Sequence, residues 1–261
     1  MPYICQKSLP FSPWMKEATR RMPGVQPLVA KDYFFVDDAF KKQMKYRDQL
    51  LLERFDEVYA NKFTSNDECE ELLEFVISHL KDNGAYKFKK NKLIRPDGVE
   101  FDLDGCDPLR LAASFVQEDI LLLKKEKDEH ILKAGVLCFP ASWSLSEKIE
   151  RSLTAIHSPV GEYTDQIAPR IEKMFSNMRV DTPIWRSNFL LYEDYELYQP
   201  RLEQHENGNT HKRLSQFMRV ERQTLVKLPL TEAVMFAIHT FVVPYIDLTV
   251  DQKISLESFV D

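Results

Sequence analysis

Apolar residues recur at helical spacing in two stretches of the first third of the chain. From Asp38 to about Asn61, Phe40, Met44, Leu51, Phe55, Val58 and Tyr59 predict one helix. Cys69, Leu72, Leu73, Val76, Ile77 and Leu80 predict a second. Ser65 and Glu68 stand before it at capping-box spacing, and Gly84 stops it. The pair reads as a helical hairpin packed on another body. Residues 85–108 are polar, with a turn at Pro96-Asp97-Gly98. Leu109 to Asp119 predicts a helix. Ile120 to Lys125 and His130 to Phe139 predict a strand hairpin across the charged turn Lys125 to Glu129.

Thr164 to Met178 predicts a helix carrying Ile167, Ile171, Phe175 and Met178 on one side. After it the period becomes two. Ile184 to Tyr192, Phe217 to Leu228 and Ala233 to Phe241 predict strands, and Thr249 to Val260 a last helix. Glu193 to Lys212, with Asn207-Gly208-Asn209, reads as a loop. Ahead of all these lies a Pro-rich arm of about 30 residues with Phe11 and Trp14 as anchors. Tyr33 to Val36 reads as a short strand or helix entry. The order implies an α+β class: an antiparallel sheet wrapped by helices, with an N-terminal helical extension. A single domain is expected over 1–261, with arm and hairpin in 1–84 and the core in 109–244.

Composition narrows the function classes. The chain has 261 residues, 44% hydrophobic and 29% charged, which is a globular profile. Seven glycines and no GxGxxG or GxxxxGK[ST] weaken any nucleotide-binding reading. A net charge of -6 gives no overall attraction to nucleic acid. No run of about 18 apolar residues occurs, so no membrane span is expected. The first residues lack the basic-then-apolar order of a signal peptide. Cys5, Cys69, Cys106 and Cys138 are scattered without CxxC spacing. The expectation is a cytoplasmic protein with four free thiols and neither a disulfide framework nor a zinc site.

The stretch from Cys138 to Tyr163 carries the candidate chemistry. It begins as a strand, breaks at Pro140, restarts as a helix under the Ser144–Glu147 capping pair, reaches His157 and breaks again at Pro159. His157 is either a cap or core residue or a metal ligand. No second histidine stands at HxH or HxxxH spacing, so a multi-histidine metal site has poor support. One imidazole suffices where a porphyrin supplies the other four nitrogens. Cys138 is a weaker rival. On the strand Phe217 to Leu228, Arg222 shares an apolar face with Met218, Val220, Thr224, Val226 and Leu228. That guanidinium needs an anion, either an internal carboxylate or a ligand's carboxylate, phosphate or propionate. Arg219, Glu221 and Gln223 form a row on the other face, expected to be solvated. His239, in a strand apolar on both faces, reads as a satisfied core histidine. No GxSxG or nucleophile elbow is present.

The blocks VQEDILLL (116–123), CFPASWSLSEKIERSLTAIHSPV (138–160), RSNF (186–189), RVERQTLVKLP (219–229) and AVMFAIHTFVVP (233–244) resemble the haem-dependent oxidative N-demethylase family, with its PAS-like haem domain. The resemblance runs from about Pro10 to Pro244. It implies a haem b monooxygenase that oxidises an N-methyl group of a secondary amine such as dimethylamine and releases formaldehyde. The partners it implies are O2 and a separate flavin and iron–sulfur reductase. It implies His157 as the iron ligand, Arg222, Trp143 and Lys148 as further haem contacts, and Arg219 and Glu221 as catalytic groups near the amine. The chain departs from the family pattern at Glu162, Phe189 and His239, which are expected to line or adjoin the pocket. A haem or small-ligand sensor of the same PAS-like fold is the alternative, separable by turnover.

Overall fold

The computed structural model describes residues 2–20, 24–29, 32–104, 107–157, 168–201 and 216–260. Along the chain run α1 (Glu17–Arg20), β1 (Gln26–Pro27), α2 (Phe40–Glu53), α3 (Phe55–Val58), β2 (Tyr59–Asn61) and α4 (Asp67–Lys81). Then come β3 (Lys87–Lys89), β4 (Lys92–Ile94), β5 (Glu100–Asp102), α5 (Pro108–Phe115), β6 (Asp119–Glu126) and β7 (Glu129–Val136). The last third holds α6 (Leu145–Lys148), α7 (Leu153–His157), α8 (Ala168–Ser176), β8 (Ile184–Tyr192), β9 (Phe217–Lys227), β10 (Val234–Pro244) and α9 (Val250–Val260). The expected α+β class holds. One antiparallel sheet has the order β1-β8-β9-β10-β6-β7-β2, and β3-β4-β5 form a smaller one.

Both faces of the main sheet are covered. One face carries Ile120, Leu122, Ala134, Val136, Val226, Met235 and Ala237, packed with α2, α4 and α5. Its far end, Met218, Val220, Phe241 and Val243, is sealed by Trp14 of the N-terminal arm and by Leu248 and Leu256. We call this the arm-covered face. The other side carries Leu121, Leu123, Leu132, Leu225, Val234 and Ile238 under Leu145, Leu153, Phe175 and Met178. Those side chains come from α6 to α8 and the turn after α8, so this is the helix-covered face. Strand alternation sends successive residues to opposite faces, and the β9–β10 register fixes which cross-strand pairs share one.

The arm is anchored as expected. Trp14 is buried and its Nε1 donates to the Gln252 carbonyl at 3.0 Å. Tyr33 to Val36 is neither strand nor helix. It is a bend whose Phe35 N–H donates to Glu118 Oε1 at 2.9 Å.

Several predicted elements are cut differently. The helix over 38–61 ends at Glu53, because Arg54 leaves helical geometry (φ -132, ψ 36) and Tyr59–Asn61 joins the sheet edge beside β7. Ser65 does not cap α4. Asn66 is its N-cap residue, and Ser65 Oγ donates to Asp67 Oδ2 at 3.1 Å. α4 packs chiefly on α5, not as a hairpin with α2. The helix read as far as Asp119 stops at Phe115, and Asp119 opens β6. Residues 85–108, read as turns, contain β3–β5. Thr164–Ile167 of the predicted helix, and 202–212 of the predicted loop, lie outside the described residues.

Candidate functional site

The segment leading to His157 is fixed at its start by a buried ion pair. Asp119 accepts from the backbone N–H groups of Cys138 and Phe139, both at 2.8 Å. Arg47 Nη2 reaches Asp119 at 2.9 Å, and both side chains are 0% exposed. A buried carboxylate is tolerable only with this many donors. Cys138 itself is fully buried, and burial pushes its thiol up to about 12, against the pull of Arg47. It stays a neutral packing thiol, which makes it a poor rival to His157.

From there the chain crosses onto the helix-covered face. Leu145 of α6 is buried against the sheet, and Trp143 packs at the edge of the same cluster. The helix predicted from Leu145 to His157 is two helices. Between them Glu150 takes φ 61, its N–H donates to the Leu132 carbonyl at 2.8 Å, and the Leu132 N–H donates to the Arg151 carbonyl at 3.1 Å. Pairing with β7 thus outcompetes helix continuation. Lys148, 6% exposed, bridges the gap: its Nζ donates to the Ile156 carbonyl at 2.9 Å. That carbonyl belongs to the residue before His157, so Lys148 holds the last turn of α7 in place. α7 ends at His157, whose side chain lies outside the described residues, as does Glu162.

Beyond the apolar cluster, the helix-covered face of β8 and β9 is polar. Arg219, Glu221 and Gln223 are 2%, 5% and 6% exposed, so the row expected to be solvated is buried. The segments through Phe139 and Leu197 close over it. Arg219 Nη2 donates to the Phe139 carbonyl at 2.5 Å and Nη1 to the Leu197 carbonyl at 3.2 Å. Arg219 Nη2 also meets Glu221 Oε1 at 3.2 Å. Gln223 Nε2 donates to Glu221 Oε2 at 3.1 Å, and Arg186 Nη1 donates to Gln223 Oε1 at 2.7 Å. Arg219, Glu221, Gln223 and Arg186 therefore form one connected chain with two cations and one carboxylate. Burial lowers the pKa of Arg186, opposed by Glu221. Arg219 Nε is buried and has no hydrogen-bond partner.

Arg186 and Gln223 were not singled out from the sequence. The RSNF block was visible, but only the register that sets Arg186 opposite Gln223 puts it in this row.

Arg222, Phe189 and His239 lie on the arm-covered face, on the other side of the sheet from Arg219 and Glu221. Arg222 pairs across the strands with Ser187 and His239. Phe189 packs on Trp14, with ring centroids 5.1 Å apart. His239 is fully buried, with Nδ1 2.9 Å from Glu118 Oε1 and Nε2 3.2 Å from Asp37 Oδ2. Burial opposes its charge, but the two carboxylates outweigh burial and raise its pKa to about 9. It is a core histidine with both ring nitrogens satisfied, as its strand predicts. By strand parity, Arg219 and Glu221 lie on the same side of the sheet as Trp143, Lys148 and the end of α7. The same parity separates Arg222, Phe189 and His239 from them.

Among the described residues, the helix-covered face offers an apolar wall, the helix end at His157, the guanidiniums of Arg219 and Arg186 near Glu221, and one orphaned buried N–H. That donor set fits a planar apolar group with acidic substituents and a metal that takes a single imidazole. A family model described as haem-dependent oxidative N-demethylase, alpha subunit-like, matches residues 24–258.

Proposed function

Because the chain belongs to the haem-dependent oxidative N-demethylase, alpha subunit-like family, we propose that it binds haem b on the helix-covered face and oxidatively demethylates a secondary amine such as dimethylamine. The observation that carries this reading is the buried row Arg219–Glu221–Gln223–Arg186, with the orphaned Arg219 Nε, on the face where α7 ends at His157. Charges are not buried in a row without compensation. Arg219 and Glu221 compensate each other in part, and the orphaned Arg219 Nε is left for an acidic group of a ligand.

In this reading His157 takes the iron through one ring nitrogen, and Lys148 holds the helix turn that presents it. Trp143 walls the apolar side. Arg219 and Arg186 face the acidic edge of the porphyrin, a role that moves from Arg222 because Arg222 lies across the sheet. Glu221 attracts the ammonium form of the amine. The low-dielectric wall of Leu225, Ile238 and Leu145 excludes water. The haem supplies O2 activation, which oxidises an N-methyl group to formaldehyde. Its electrons come from a separate reductase chain, as the alpha-subunit description of the family suggests.

The test is a haem titration followed by turnover. The purified chain with haem, a chemical reductant, O2 and dimethylamine should release formaldehyde, and Glu221→Gln should raise KM for the amine more than it lowers kcat. Haem binding without formaldehyde from any small methylamine would leave a sensor of the same fold as the better reading.

A further inference from the structure

After β10 the chain makes a three-residue turn, Tyr245–Asp247, and α9 begins at Val250. Ile246 is 80% exposed, Val250 70% and Ile254 60%. Val250 and Ile254 stand four apart on the helix and so are neighbours on one side of it. Ile246, in the turn ahead, is drawn against the first turn of α9 by Lys253, whose Nζ donates to the Ile246 carbonyl at 2.7 Å. Single exposed apolar side chains are ordinary, but three in a stripe are not.

The helix under the stripe is fixed. Its inner side carries Leu256, buried with Leu248, Trp14, Met218 and Val243 in one cluster. Gln252 Nε2 donates to Ser12 Oγ of the arm at 2.8 Å. The first turn is closed by Thr249 N–H donating to Gln252 Oε1 at 2.8 Å and Gln252 N–H donating to Thr249 Oγ1 at 3.2 Å.

Charge says what fits against it. Asp247, Asp251 and Glu257 flank the stripe and are exposed, and among the described residues none of the three makes an ion pair or a side-chain hydrogen bond. Lys253, the one cation of α9, is folded back onto the Ile246 carbonyl and lies 5.7 Å from the centroid of the Tyr245 ring. A second copy is therefore a poor match. An antiparallel pair centred on Ile254 sets Asp251 against the partner's Glu257. One centred between Val250 and Ile254 sets Asp247 against the partner's Glu257, and meets Asp251 only with the lysine already committed. A parallel pair sets each carboxylate beside its own twin. Like charges brought together in this way repel.

We infer that α9 and the turn before it are a docking surface for another polypeptide, an amphipathic helix with apolar residues at i and i+4 and Lys or Arg beside them. Its apolar positions cover the stripe, and its cations meet the three unpaired carboxylates. A family described as an alpha subunit is in keeping with such a partner. The surface does not depend on haem.

The experiment uses the full chain and, as probe, a synthetic helical peptide with leucines at i and i+4 spacing flanked by lysines. The same peptide with glutamates in place of the lysines is its counterpart. Binding is followed by fluorescence anisotropy and self-association by sedimentation velocity. The expected result is saturable binding of the lysine peptide, with an apparent Kd raised about tenfold in the double variant Val250→Ser, Ile254→Ser and about threefold in Asp251→Asn. The glutamate peptide should not bind. The double variant changes only exposed side chains and keeps the net charge of -6, so its loss is not a loss of general attraction to an acidic chain. Leu230→Ser, at a leucine 79% exposed elsewhere, should bind as the wild type does. No saturable binding, or equal affinity in the wild type and the double variant, overturns the surface. Equal binding of the two peptides overturns the basic partner. A wild-type dimer lost in the double variant gives the stripe to a second copy, and binding to phosphatidylcholine vesicles lost in the same variant gives it to a lipid surface; either result overturns the assignment.

Discussion

On the arm-covered face, polar groups mostly close on one another. His239 sits between Glu118 and Asp37, and Gln117 ties Asp37 to Gln43 at 2.8 Å each. Both faces keep orphaned buried atoms, Glu118 Oε2 and Ser187 Oγ on the arm-covered side and Arg219 Nε on the other, but the helix-covered polar row runs in a line along β8 and β9 beside an apolar wall. A closed network rigidifies the fold, and removing one member leaves charges exposed to a low dielectric. An open row next to an apolar wall is a place to put a ligand. Buried charge alone did not distinguish the two; the direction in which the hydrogen bonds run did.

The sharpest way to break this contrast is to remove one carboxylate from a closed ion pair and one from the open row. Asp119→Ala strands Arg47 and two backbone N–H groups, and should cost about 3–5 kcal/mol in urea unfolding. Glu221→Gln keeps one acceptor oxygen for Arg219 and loses the acceptor that met Gln223, and should cost only about 1–2 kcal/mol. Equal losses would mean that both are structural.

The pH dependence is the next largest effect. His239 has a folded pKa of about 9, above its ordinary 6.5. Its stabilisation is therefore fully present below pH 6.5 and disappears as pH rises through 9. Over that window the loss should reach about 3 kcal/mol, from the size of the shift. Unfolding free energies at pH 6, 7.5 and 9 should fall in the wild type and flatten in His239→Gln. A wild-type curve that rises across that window would reverse the sign of the account.

Lys148→Met should cost about 1–2 kcal/mol, since a charged hydrogen bond to the Ile156 carbonyl is lost. It should also change the spectrum of bound haem, which a purely structural lysine would leave alone. The smallest effect belongs to Asp107, which caps α5 by accepting from the Arg110 N–H at 2.9 Å. Asp107→Ala should cost about 1 kcal/mol, read as a lower thermal midpoint, and should leave haem binding unchanged.

What was legible in the sequence follows the length of the pattern. β8, β9 and β10 run nine to eleven residues, long enough for alternation to show, and they were found within a few residues of their ends. β3, β4 and β5 are three residues each, too short to carry a period. The break between α6 and α7 could not be read locally, because it is made by pairing of Glu150 and Arg151 with Leu132, some twenty residues away. Alternation did show that Arg222 and Arg219 point to opposite faces. It could not show that both faces are covered, since the arm precedes β2 to β10 and α6–α8 lie between β7 and β8, neither of them next to β9 in the chain. For that reason a solvated row was expected at Glu221, and Arg222 was grouped with His157.

The central claim is that the helix-covered face holds haem through His157, and the visible spectrum on haem titration tests it most directly. The account predicts a stoichiometric Soret band in the wild type, lost or shifted in His157→Ala, weakened in Arg219→Ala and unchanged in Phe189→Leu on the other face. A Soret band identical in the wild type and His157→Ala would contradict it.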